Sequence, residues 1–198
     1  MEYEPTSPPA RIIAAGRKLF FERGFERVST DLIVKEAKVS KASLYKYFPN
    51  MSDVLMAVVR AEGDNFGSGA PIQCESREEL KDALISYGAN VLKFLNTPDV
   101  IQFTLLMHEE VRGHPKIAAR FYKEAYERSH EVLASMIAQG QSKQYISSRL
   151  TADELAEQLM GMWEGMRWNK TRMGLAKRPF SNPNGWSTKC VETLLASV

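Results

Sequence analysis

The residues with the most evident chemistry lie in one short stretch, Lys41-Ala-Ser-Leu-Tyr-Lys-Tyr-Phe48. Read as a helix, it hides Leu44 and Phe48 on one face and offers Lys41, Ala42, Ser43, Tyr45, Lys46 and Tyr47 on the other. That exposed set suits a nucleic acid duplex. Lysine ammoniums reach guanine edges or phosphates, an alanine meets a thymine methyl, serine serves either role, and tyrosine hydroxyls reach phosphates. An ordinary three-helix corner with a solvated basic face carries the same residue types, so spacing alone leaves both readings open.

Charge is concentrated in the same region. The formal net charge is only +2, yet residues 10–56 hold nine Lys/Arg against five Asp/Glu, while residues 57–198 hold seventeen of each. A polyanionic partner would be met in that one segment. Enzyme chemistry finds no comparable constellation. His108-Glu109-Glu110 lacks a second histidine at the four-residue spacing of a zinc helix, because His114 falls six residues on. Gly67-Ser68-Gly69 is not a nucleophile elbow, and no phosphate-binding or dinucleotide glycine pattern appears. Cys74 and Cys190 belong to no metal-type pair and read as buried thiols in a reducing compartment. The expectation is therefore a non-enzyme, with no catalytic residue, metal or cofactor.

The elements that must position the basic face are helical throughout. Ala10 to Arg23 carries an apolar stripe of Ile12, Ile13, Leu19, Phe20 and Phe21, and Gly24 stops it. Ser29 or Thr30 caps a short second helix ending near Ala37, with Asp31 in its first turn. Lys38-Val39 makes a turn, Ser40 caps the helix Lys41 to Phe48, and a fourth helix runs from Ser52 or Asp53 to about Asn65. Two helices of about eight residues joined tightly in a basic segment make a helix-turn-helix candidate. Phe66-Gly-Ser-Gly-Ala-Pro71 reads as a linker. Further helices are expected from Ser76 to before Pro98, Asp99 to Arg112, Pro115 to Gln139, Thr151 to Met173 and Ser187 to Ala196, with Pro179 to Gly185 a loop. Thr151-Ala-Asp-Glu154 is a capping box. With no sustained period-two alternation, the fold class is all-α: a small N-terminal bundle and a larger C-terminal one. The expected organisation is a disordered tail over 1–9, a DNA-binding domain over 10–56 and a second domain over 57–198.

Thr30-Asp-Leu-Ile-Val-Lys-Glu-Ala-Lys-Val-Ser-Lys-Ala-Ser-Leu-Tyr-Lys-Tyr-Phe48 resembles the tetracycline-repressor (TetR) family pattern of a Thr-led helix, an Ala-Gly-Val-Ser turn and a Leu-Tyr-x-Tyr-Phe recognition helix. Leu19-Phe-Phe-Glu-Arg-Gly-Phe25 is similar to the end of that family's first helix. The likeness implies a transcriptional regulator bound to an operator. It gives Thr30 and Ser40 phosphate contacts, Lys41, Ala42 and Ser43 base contacts, and Tyr45 and Tyr47 backbone or base contacts. Three positions depart from the pattern. Lys38 replaces a usual Gly, so a turn needing positive φ would be strained by about 1 kcal/mol. Met51 replaces a usual Lys, and Asp31 stands where some members carry a base-reading Arg. Asp31 then either caps the helix, accepts from cytosine or repels phosphate.

Phe103 to Pro115, followed by Ala118 to Tyr122, resembles the C-terminal domain of AefR-like regulators. In the family the C-terminal helices dimerise and bind a small effector, which implies a homodimer on double-stranded DNA. For the dimer, Leu155, Leu159, Met162, Trp163, Met166, Val191, Leu194 and Leu195 supply apolar area, with Gly161 and Gly165 allowing close approach; packing within the chain fits the same residues. A pocket between the helices from 76 to 173 would draw on Tyr87, Phe94, Phe103, Met107 and Phe121. Tyr122, Tyr126, Met162, Trp163, Met166 and Trp168 complete the candidates. Such a lining suits a hydrophobic or amphipathic effector. A DNA-binding protein without a small ligand is the alternative. No apolar run reaches membrane-spanning length, and Met1 to Pro9 lacks the regions of a secretory signal, so the cytoplasm is the expected location.

Overall fold

The computed structural model describes residues 6–65 and 73–197. Among them the regular structure is helical, in chain order α1 (Pro8–Arg23), α2 (Thr30–Ala37), α3 (Lys41–Tyr47), α4 (Met51–Asn65), α5 (Arg77–Phe94) and α6 (Pro98–Glu110). A 3₁₀ turn (Val111–Gly113), α7 (Pro115–Tyr122), a π turn (Lys123–Glu127), α8 (Arg128–Ser142), α9 (Ala152–Arg172) and α10 (Pro183–Ala196) follow. The linker expected over 66–71 lies outside the described residues.

Several boundaries move, each for a local reason. Helix α1 starts two residues earlier than expected, so Pro8 and Pro9 belong to it and not to a tail; residues 1–5 lie outside the description. Ser7 accepts the Ala10 N–H, and prolines fit the first turn because the N–H they lack would have no helical partner there. The same device brings the start of α10 forward to Pro183, with the Asn182 side chain accepting the Gly185 N–H at 2.9 Å. The single helix expected from Pro115 to Gln139 is interrupted by the π turn, and Gly140 does not end it. A Cβ on Gly140 would come within 2.4 Å of Leu80 Cδ2, so the glycine answers a packing need inside α8. The capping box of α9 forms in both directions: Thr151 Oγ1 accepts from the Glu154 N–H (3.2 Å), and Glu154 accepts from the Thr151 N–H (2.8 Å).

Two compact units result, and they divide the chain differently from a cut after residue 56. The first takes the chain up to Glu62 together with Asp99–Ala125; the second takes Gly63–Pro98 and everything from Tyr126 on. In the first unit α1 packs across α2 and α3, and Ile12, Phe20, Ile33, Leu44 and Leu55 are fully buried. The α6–α7 stretch is fastened to this head. Phe103 stacks on Phe21 (centroids 4.2 Å apart, 5° between planes) and receives Phe121 edge-on at 6.1 Å. Arg17 bridges Glu62 (2.8 Å) and Asp99 (2.9 Å), and Arg120 reaches Ser52 (2.9 Å) and Asp53 (2.7 Å) at the start of α4. Gly24 matters most here. Its φ is +81°, and a Cβ would lie 2.2 Å from Glu110 Oε1, because the Glu110 carboxylate accepts the Phe25 N–H at 2.7 Å.

In the second unit α10 packs chiefly on α5, and α8 on α9. Leu84, Leu92, Leu133, Ile137, Leu159 and Val191 fill the space between them. The Trp163 indole presses on the α5 backbone at Gly88, where a Cβ would be 2.3 Å from its Cζ2 and 2.4 Å from Ser187 Oγ. Interiors packed this closely tolerate added volume poorly. Gly88→Ala is therefore expected to lower stability by about 1–3 kcal/mol, read as a fall in the thermal midpoint by circular dichroism.

Candidate DNA-binding site

The second and third helices and their turn are built by capping and by one left-handed residue. Ser29 Oγ accepts the Leu32 N–H (3.3 Å) at the start of α2, and Ser40 Oγ accepts the Ser43 N–H (3.0 Å) at the start of α3. Between them Lys38 adopts φ 52°, ψ 48°, the left-handed conformation its place in the turn demands. The lysine thus sits where a glycine would be unstrained. Val39 is half-buried beneath the turn, and its N–H returns to the Val34 carbonyl at 3.1 Å.

On α3, Leu44 and Phe48 turn inward while Lys41, Ala42, Tyr45, Lys46 and Tyr47 are exposed and Ser43 is half-buried. The exposed residues pair with one another across the two helices. Lys41 Nζ lies 2.7 Å from Asp31 Oδ1, and the bond and charge of Asp31 raise the lysine pKa. The Thr30 and Tyr45 hydroxyls are 3.3 Å apart, and the Lys46 ammonium stands 5.5 Å over the Tyr47 ring. Thr30 and Tyr45 therefore converge on one point, where both hydroxyls can meet a single phosphate. Sequence reasoning missed the Asp31–Lys41 pair. Its signal was present: an acid in the first turn of α2 and a base in the first turn of α3, two helix starts joined by a tight turn.

The other sequence-predicted residues separate. Tyr87 and Trp163 line one small cavity in the second unit. Phe103, Met107 and Phe121 are buried in the first unit, and Tyr122 of that unit is exposed. Phe94, Tyr126 and Met162 are half-buried in the second unit, Trp168 is buried there, and Met166 is 76% exposed. The proposed dimer residues separate too. Leu155, Leu159, Trp163, Val191, Leu194 and Leu195 all lie in the second unit's own core, buried by packing within the chain. Their neighbours on the outer side of α9 and α10 form an open groove of about 780 Å³ lined by Gly161, Met162, Gly165, Trp186, Cys190 and Thr193 among others. Helical periodicity showed which residues are apolar; it did not show which apolar face meets the chain's own core. Gly161 and Gly165 face open space within the chain, and α9 leaves helical geometry at Gly165 (φ 43°, ψ −154°). Both cysteines are buried and free, and burial pushes each thiol above its usual pKa. No described helix is long and apolar enough to cross a membrane.

A basic helix-turn-helix on an all-α frame defines a DNA-binding protein. The match to known proteins is more specific. Residues 12–58 match the family of bacterial regulatory proteins, tetR family, and residues 82–196 match the AefR-like transcriptional repressor, C-terminal domain. The chain belongs to the TetR family of transcriptional regulators, with an AefR-like C-terminal domain. It is 32% identical over 90 residues to the HTH-type transcriptional regulator YdeS of Bacillus subtilis (strain 168), an alignment covering 43% of this chain and 41% of YdeS. The chain thus spans about two fifths of that relative's length. A TetR transcriptional regulator from Agrobacterium tumefaciens superposes with a TM-score of 0.79 at 18% identity, over 97% of this chain and 95% of that one. The flavonoid-responsive regulator FrrA superposes with a TM-score of 0.73 at 23% identity, over 96% of each chain.

Because Lys38 is held at positive φ, Lys38→Gly should relieve strain and raise stability by about 1 kcal/mol, seen as a higher urea midpoint with an unchanged slope.

Proposed function

We propose that the chain is a homodimeric repressor that holds a palindromic operator through α3 and is released by a small hydrophobic or amphipathic effector. One observation carries the DNA contact: the exposed face of α3 presents ammonium and hydroxyl groups while Leu44 and Phe48 anchor it from behind. Lys41, Ala42 and Ser43 read base edges; Thr30, Ser40, Tyr45, Lys46 and Tyr47 hold phosphates or flanking bases. In a dimer the two recognition helices would enter successive major grooves about 34 Å apart. Lys41→Ala and Tyr45→Ala should each weaken operator binding roughly ten- to hundredfold, on the scale of one good base or phosphate contact. Fluorescence anisotropy on DNA selected by the purified protein measures this, with circular dichroism confirming the fold. Wild-type affinity in both variants would remove the reading head from α3.

The dimer is assigned to the outer groove of α9 and α10. Met166, Met173 and Leu175 stand 76%, 73% and 72% exposed on and just after α9, an unusual apolar display for an uncovered surface. Gly161 has room around it in the single chain, so Gly161→Arg leaves the protomer's packing intact while placing a long cation in the groove. Sedimentation should shift from dimer toward monomer, and operator affinity should fall with it.

Release by an effector would act as a population shift between two separations of the recognition helices. The fastening of α6 and α7 to the head, through Glu110, Arg17 and Arg120, supports a route by which their movement reaches α4 and the reading head. FrrA, by its name, answers to flavonoids, and a response to a small organic molecule is the property carried over from it.

A further inference from the structure

Charge in the second unit is unevenly placed along the chain. Residues 165–191 hold six Lys/Arg and no Asp or Glu. All six cations are exposed, and none enters an ion pair among the described residues. Two of them, Arg167 of α9 and Lys189 of α10, line one cavity of about 150 Å³. Ser181 and Asn182 add polar groups to it, and Phe180 and Trp186 add apolar surface. Among the described residues no acid lines it. Two cations that share a recess with no counter-ion repel each other, and the arrival of an anion relieves that repulsion.

The walls are fixed before any ligand arrives. The Arg167 guanidinium lies 4.1 Å over the Trp186 ring. Stacking engages the face of that planar group and leaves its N–H edge for a ligand. The ring beneath is itself anchored, since Trp186 Nε1 donates to the Trp163 carbonyl at 3.0 Å. Phe180, 2% exposed, is held at both ends of its backbone: Asn96 Oδ1 accepts its N–H (3.1 Å), and Asn96 Nδ2 donates to its carbonyl (2.6 Å). Asn182 folds over Gly185, where a Cβ would lie 2.6 Å from the Asn182 Nδ2. Walls ordered in advance lower the entropy cost of binding.

The same walls select among anions. A guanidinium edge meets a carboxylate through two parallel N–H···O bonds, and the Lys189 ammonium adds a second charge. The positive end of α10 has the same sign. A cavity of this size takes one aromatic ring, and Phe180 and Trp186 give the ring apolar surface to cover. Inorganic phosphate would leave that surface unused. A neutral molecule would gain the apolar contact alone, and a cation would be repelled.

We infer that this cavity binds a small organic carboxylate with an apolar body of about one ring, its carboxylate on Arg167 and Lys189 and its body against Phe180 and Trp186. The inference goes beyond the operator and effector reading and needs neither. Titration of the full chain with benzoate tests it, followed by the tryptophan indole N–H signals in proton–nitrogen NMR spectra, with Trp186→Phe assigning the Trp186 signal. Benzyl alcohol, benzylammonium and inorganic phosphate are the neutral, cationic and ring-free counterparts. Benzoate should shift the Trp186 signal saturably and bind roughly tenfold or more tightly than any counterpart. Arg167→Gln should weaken benzoate by roughly tenfold, and Arg167→Lys should restore part of that by keeping the charge without the fork. Lys189→Gln should weaken it by roughly fivefold. Lys170→Gln removes a cation of the same acid-free run that does not line the cavity, and should leave affinity unchanged. All four charge variants change exposed side chains and should keep their helical circular dichroism. Four results overturn the inference: benzoate gives no saturable shift, a counterpart binds as tightly, Arg167→Gln leaves affinity unchanged, or Lys170→Gln weakens it as much as Arg167→Gln does. Operator affinity, followed by anisotropy in the same titrations, keeps this apart from the functional reading. Benzoate bound through Arg167 upholds the site whether the operator is held or released.

Discussion

The exposed polar face of α3 depends on the burial of two side chains. A helix of seven residues is not stable alone, because the cost of nucleating it exceeds what so few hydrogen bonds return. Leu44, fully buried, and Phe48, 9% exposed, hold α3 against the rest of the first unit, and Ser40 satisfies its first turn. With that face fixed, the helical period turns Lys41, Tyr45, Lys46 and Tyr47 outward. The left-handed Lys38 sets the angle at which the helix arrives. Strain at one residue is tolerated because α1 packs on both helices of the motif and leaves the turn no alternative.

The electrostatics of the face are less uniform than a basic segment suggests. Asp31 holds Lys41 at 2.7 Å, so one ammonium on the exposed face of α3 already has an acidic partner. Both groups are well exposed, and such pairs contribute little to stability. Their significance is orientation. The pair keeps the lysine over the start of α3 and sets an acidic group beside it, which disfavours a phosphate and suits a base edge.

The two units differ in how their polar groups are used. The first is fastened by many charged contacts: Arg17, Arg60 and Arg120 each bind acidic or hydroxyl partners brought close from distant sequence. The second is a packed apolar bundle in which the buried Ser187 hydroxyl donates to the Ile85 carbonyl at 2.8 Å, while the buried Trp163 indole N–H has no partner among the described residues.

Much of this was legible in the residues. The caps Ser29, Ser40 and Thr151, the stop at Gly24 and the inward period of Leu44 and Phe48 are local matters, decided within four residues by hydrogen-bond geometry and helical spacing. The sequence by itself determined an all-α chain with a basic helix-turn-helix, because short-range capping and periodicity suffice for that. The tertiary structure alone decided which apolar faces meet. It placed Phe103 and Phe121 under the head at Phe21, drew Leu155, Leu159 and Val191 into the second unit's core, and pressed the Trp163 indole on the α5 backbone at Gly88. Hydrophobic burial is non-directional, so a stripe of apolar side chains specifies that it will be covered and not by what.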